Sequence, residues 1–125
     1  MTHRKADKGL DFETLRRGIE QCDPELVLGF YTEHARLSIV NAAAPQTAPF
    51  ELRGKAEIAK HLRATFRQGA SHRVERERVG KDQVRFQEAC EYPDGGRVQV
   101  ETTLEVREGK IVRQMNIVNE IKELR

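Results

Sequence analysis

The sequence has no tryptophan, only two cysteines and four prolines, and no apolar run near the roughly 20 residues that cross a bilayer. Cys22 and Cys90 cannot build a disulfide framework, so a reduced, cytoplasmic setting is expected. The opening Met1-Thr2-His3-Arg4-Lys5 leads into no apolar core of a secretory leader, and none is expected. An excess of one charge is missing too. Lys and Arg total 22 against 20 Asp and Glu, a formal charge of +2, and the signs alternate, as in Arg73-Val74-Glu75-Arg76-Glu77-Arg78. With aromatics at 6%, the sequence offers neither the basic face nor the stacking platform of a nucleic-acid binder. No segment pairs a basic face with a bulky apolar one, so no membrane partner is expected either. Histidines do not recur at i, i+2 or i, i+4, and no Gly-rich phosphate loop, nucleophile elbow or Cys-x-x-Cys pair is present. No metal and no cofactor are therefore expected.

What is present suits one domain of 125 residues. Residues 1–10 read as a disordered tail and 11–125 as the domain. Phe12, Leu15, Ile19 and Cys22 form an apolar helical stripe with Asp11 as N-cap. Asp23-Pro24 starts a second helix, about 24–32. Residues 35–41 read as a strand, 42–49 as a loop, and 55–68 as a third helix with Ile58, Leu62 and Phe66 on its face. Four strands follow, near 71–79, 83–92, 97–107 and 111–121, separated by hairpin turns at Gly80-Lys81, Pro93–Gly96 and Glu108-Gly109. They predict an antiparallel meander.

Turn lengths predict the register. A two-residue turn pairs Val106 with Ile111, Leu104 with Arg113, Thr102 with Met115 and Val98 with Asn119. A five-residue turn pairs Cys90 with Val100 and Glu88 with Thr102. One face then holds Phe86, Glu88, Cys90, Val100, Thr102, Leu104, Ile111, Arg113, Met115, Ile117 and Asn119, and the helices must cover it. The fold class expected is α+β: a cone-shaped roll of three N-terminal helices packed in a curved antiparallel sheet. The outer face, with Val112, Val118 and Thr103, is a candidate homodimer surface.

Cys22-Asp-Pro-Glu-Leu-Val-Leu-Gly-Phe-Tyr31, Ala35-Arg-Leu-Ser38, Leu52-Arg-Gly-Lys-Ala-Glu-Ile58 and Leu104-Glu-Val-Arg-Glu-Gly-Lys-Ile-Val112 resemble the SnoaL-like branch of the nuclear transport factor 2-like superfamily. The resemblance spans about 11–121. It implies a small-molecule-binding domain, an isomerase, cyclase or hydrolase of a hydrophobic carbonyl or polyketide-like compound. The alternative it leaves is a non-catalytic, ligand- or protein-binding dimeric domain. Ketosteroid isomerase-like members carry a carboxylate near the positions of Ser38–Val40 and another near Thr102 or Thr103. Epoxide hydrolase-like and SnoaL-like members carry acids at positions resembling Asn116 and Asn119. None of these residues is an acid here, and an amide is no general acid or base at neutral pH.

The five aspartates, Asp7, Asp11, Asp23, Asp82 and Asp94, fall in the tail, at caps or in turns, so an interior carboxylate must be a glutamate. On the inferred inner face that is Glu88, the candidate catalytic residue. It could shuttle a proton, or form a structural ion pair with Arg113, expected diagonally across the sheet. Thr102 and Asn119 are candidate ligand donors or satisfied core polars. Tyr31 could direct its hydroxyl into the cup, as tyrosines do in related folds, or simply pack there. His34 and His72 could line the mouth or lie on the surface, and His61 reads as exposed. Cys22 and Cys90 read as small core hydrophobes.

Overall fold

The computed structural model describes residues 9–44 and 46–121. Of the expected tail, residues 1–8 lie outside the described residues, while Leu10 packs in the core. The chain runs α1 (Phe12–Glu20), α2 (Pro24–Leu28), β1 (Tyr31–Asn41), β2 (Phe50–Arg53), α3 (Lys55–Phe66), β3 (Ser71–Val79), β4 (Gln83–Glu91), β5 (Arg97–Arg107) and β6 (Lys110–Ile121). Three helices close a curved, open, six-stranded sheet of order β2-β1-β6-β5-β4-β3, the α+β cone expected. Among the described residues no helix is long and apolar enough to cross a membrane.

Local chemistry explains the helices. The Asp11 carboxylate accepts from the Thr14 N–H at 3.2 Å and from its hydroxyl at 2.7 Å, capping α1. Phe12, Leu15 and Ile19 are buried beneath it. Gly18 shares that face: a Cβ there would lie 2.9 Å from Val27 Cγ2, so its absence lets α2 approach closely. Asp23 caps α2 with Pro24 in the first turn. That helix stops at Leu28, short of the expected Thr32, because Tyr31 is already paired with Ile111 in the sheet. In α3, Ile58, Ala59 and Leu62 face the core.

β1 pairs antiparallel with β2 and parallel with β6. The sheet is therefore mixed, with one parallel pair where antiparallel pairing alone was expected. The crossover through α3 and the meander returns β6 alongside β1 in the same direction. β2 itself was not anticipated as a strand; Leu52 is its buried residue.

Register decides which residues face the helices. Between β4 and β5 the expected pairing is off by two. The Tyr92 N–H donates to the Gly96 carbonyl at 2.8 Å, tightening the turn, so Cys90 pairs with Val98 and Glu88 with Val100. A shift of two keeps each side chain on its face. Between β5 and β6 the error is one residue, which reverses the faces. Val106 pairs with Ile111, but Glu105 then meets Arg113, leaving Val112 as the extra residue of a β-bulge. Beyond it Gln114, Asn116 and Val118 face inward. Arg113, Met115, Ile117 and Asn119, expected inside, face outward, and Met115 and Ile117 are 44% and 37% exposed. A second bulge lies in β3, where Arg76 has φ 56°. It sets His72 opposite Cys90 and Val74 opposite Glu88.

The exposed edge of β3 is tied to α1. Arg16 Nη1 donates to the Val74 carbonyl at 3.2 Å, and the Val74 N–H donates to Glu20 Oε2 at 2.8 Å. These bonds satisfy edge groups that could otherwise recruit another strand.

Candidate functional site

Between the helices and the inner sheet face lies a cavity of about 70 Å³. Its walls are mainly apolar, with Leu15, Leu37, Phe86 and Leu104 among them. The polar groups on it are Tyr31, His61, Thr65, Glu88, Gln114 and Asn116. On one side the Tyr31 hydroxyl donates to Gln114 Oε1. Gln114 Nε2 donates to Asn116 Oδ1 at 2.9 Å, and the Thr102 hydroxyl donates to the same oxygen at 3.2 Å. Burial, and then the charge of Glu88, raises the Tyr31 pKa far above the ordinary phenol range, so the hydroxyl remains protonated and donating.

On the other side Glu88 Oε2 lies 2.7 Å from His72 Nδ1. The histidine side chain is 2% exposed and the carboxylate side chain 17%. The Phe66 ring stands edge-on to the imidazole, with centroids 5.2 Å apart. Cys90 Sγ lies 3.4 Å from the same nitrogen and 3.9 Å from the same oxygen. Burial first, then the negative charge of Glu88, pushes the Cys90 thiol up to about 12.

The six predicted site residues meet different fates here. Glu88 and Tyr31 line the cavity; Thr102 is buried behind Asn116 and supports it. Arg113 does not approach Glu88: the Val112 bulge turns it outward, where it pairs with Glu105 at 3.3 Å in solvent. Asn119 is turned outward by the same bulge, opposite Gln99. His34 is exposed on β1.

Two contributors were missed, and a third was named without its partner. Gln114 falls on the outer face if Arg113 and Met115 face inward as expected, and the bulge reverses it. His61 was read as exposed, yet it follows Ile58 by three residues, shares its face and lines the cavity; burial lowers its pKa, so it is neutral near pH 7. His72 was not linked to Glu88, because only the β3 bulge puts it on the inner face beside Cys90.

The sequence pattern of the SnoaL-like domain matches residues 12–114. The chain belongs to the SnoaL-like family. A search of curated proteins finds no significant match. Among solved structures, this SnoaL-like chain is similar to an NTF2-like protein of unknown function from Mesorhizobium loti (TM-score 0.74, 18% identity, 86% of each chain covered). It is also similar to a proposed ketosteroid isomerase from Kribbella flavida (TM-score 0.73, 17% identity, 91% of this chain and 78% of that one). A third likeness is to the epoxide hydrolase/cyclase-like enzyme SalBIII of pyran ring formation in the polyether salinomycin (TM-score 0.64, 17% identity, 86% of each chain). At these identities the likeness establishes the SnoaL-like fold; chemistry has to be argued from the residues of the cavity.

Proposed function

We propose that this SnoaL-like domain binds a small carbonyl compound in its interior cavity and moves a proton on it, as an isomerase, cyclase or hydrolase would. One observation carries the reading: a half-buried carboxylate, Glu88, held by His72 at 2.7 Å, opens on the same cavity as the Tyr31–Gln114–Asn116 chain. Glu88 is the base, His72 its positioning partner. The Asn116 amide nitrogen, engaged in none of these hydrogen bonds, is the donor offered to a ligand oxygen as negative charge develops there.

Volume sets the ligand's size. An apolar cavity of about 150 Å³ accepts benzene, so about 70 Å³ suits a molecule smaller than that. A panel of aldehydes and ketones of about three to five carbons, below the benzene limit, should move the side-chain amide resonances of Gln114 and Asn116. At a hundredfold excess over Kd, ligand should stabilise the fold by about 2.7 kcal/mol. A panel that moves neither amide defeats the reading.

The small volume also favours the second reading, a non-catalytic domain whose interior is filled by its own side chains, since ligand pockets usually reach about 300 Å³ or more. Both readings include a homodimer through the outer sheet face. The Val112 bulge supports this by turning Met115 and Ile117 outward beside Thr103, in place of the Val118 expected there. The wild-type chain should sediment as a dimer, and Met115→Lys with Ile117→Lys as a monomer; a monomeric wild type rules the dimer out.

A further inference from the structure

His72, Glu88 and Cys90 do more than form a pair with a bystander: His72 Nδ1, Glu88 Oε2 and Cys90 Sγ all lie within 4.8 Å of one another. Strand geometry enforces this. Glu88 and Cys90 are two apart on β4 and share a face, and His72 sits directly across from Cys90 on β3. All the polar neighbours of the imidazole gather at Nδ1, while Nε2 is buried without a hydrogen-bond partner. A Cys–His–Glu catalytic relay would need thiol and carboxylate at opposite ring nitrogens. Here they converge on one point.

Convergence on one point is what a metal ion requires. The geometry points to a three-ligand site for a divalent transition metal, formed by His72 Nδ1, Glu88 Oε2 and Cys90 Sγ, with Zn²⁺ the ion best suited to this donor set. Tetrahedral zinc with ordinary bond lengths separates sulfur from nitrogen or oxygen by about 3.6 Å, and nitrogen from oxygen by about 3.3 Å. The separations found are 3.4, 3.9 and 2.7 Å. Opening the nitrogen–oxygen contact by about 0.6 Å, within reach of a side-chain rotation of Glu88, completes the match. One thiolate, one imidazole and one carboxylate disfavour Mg²⁺ and Ca²⁺, which take oxygen. Among the described residues no fourth His, Cys, Asp or Glu joins the cluster, so the fourth position is left to an exogenous ligand, as in catalytic rather than structural zinc sites. His72 and Cys90 also border an open groove of about 680 Å³ beside α1.

The site goes beyond the proton-transfer reading and stands without it. The test is binding, not turnover. Metal-stripped protein is titrated with Zn²⁺ by calorimetry and with Co²⁺ by absorbance, using wild type, Cys90→Ser, Glu88→Gln and Cys22→Ser, each checked for native circular dichroism. Wild type and Cys22→Ser should bind one Zn²⁺ and show a thiolate-to-cobalt charge-transfer band. Cys90→Ser should lose the band, and both Cys90→Ser and Glu88→Gln should bind zinc at least tenfold more weakly. Absence of the band in wild type, its survival in Cys90→Ser, its loss in Cys22→Ser, or full affinity in Glu88→Gln would overturn the site.

Discussion

Leu104→Ala should lower the midpoint of thermal unfolding by roughly 10–20 °C, the consequence of about 2–5 kcal/mol lost from a chain of this size. Leu104 is 1% exposed on β5, and its side chain forms part of the cavity wall. Truncation therefore removes buried methyl groups and joins their space to a void already present, so the neighbours cannot close over it cheaply. The enlarged cavity should also admit benzene, seen as a rise in the variant's unfolding temperature that wild type does not share. Scanning calorimetry with and without benzene measures both effects. A loss of only a few degrees would mean that the helices collapse onto the space, and that the cavity is not held open by a rigid wall.

Glu88→Gln should reduce kcat/KM by about 10²–10⁴, the contribution of a positioned general base, on whichever carbonyl compound of the binding panel is turned over. The substitution keeps size and the ability to accept from His72 Nδ1 while removing the group that takes a proton. Assays run in EDTA separate this effect from metal ligation by the same carboxylate. The unfolding temperature of the variant distinguishes lost chemistry from lost structure. Turnover unchanged in a folded Glu88→Gln protein would remove from the mechanism the one carboxylate that lines the cavity among the described residues, and leave the non-catalytic reading.

The amino-acid sequence by itself determined every element except β2 and the first residues of β1, and half of the sheet's facing. Caps at Asp11 and Asp23, and the turns at Glu108-Gly109 and Pro93–Gly96, are local chemistry, and the strands they bound begin and end within a residue or so of where alternation puts them. Alternation also put Glu88, Cys90, Thr102 and Leu104 on the inner face, because the register error between β4 and β5 was even and an even slip preserves faces. Tyr31 was found as a residue and misplaced as a helix end.

Tertiary structure decided the rest, chiefly through two single-residue bulges. Along Ile111-Val112-Arg113-Gln114-Met115-Asn116-Ile117 the alternating apolar residues argue for Met115 and Ile117 inside. The fold turns the amides inward instead, where Tyr31 and Thr102, from two other strands, satisfy them. A partner that lies 83 residues away in the chain leaves no trace in a period-two pattern. The bulge at Arg76 acts likewise, bringing His72 to the face of Glu88 and Cys90. Register within a strand is local, but the residue that a sheet leaves unpaired is chosen by which buried polar groups find one another across it, and that choice made both the cavity's polar chain and the His72–Glu88–Cys90 cluster.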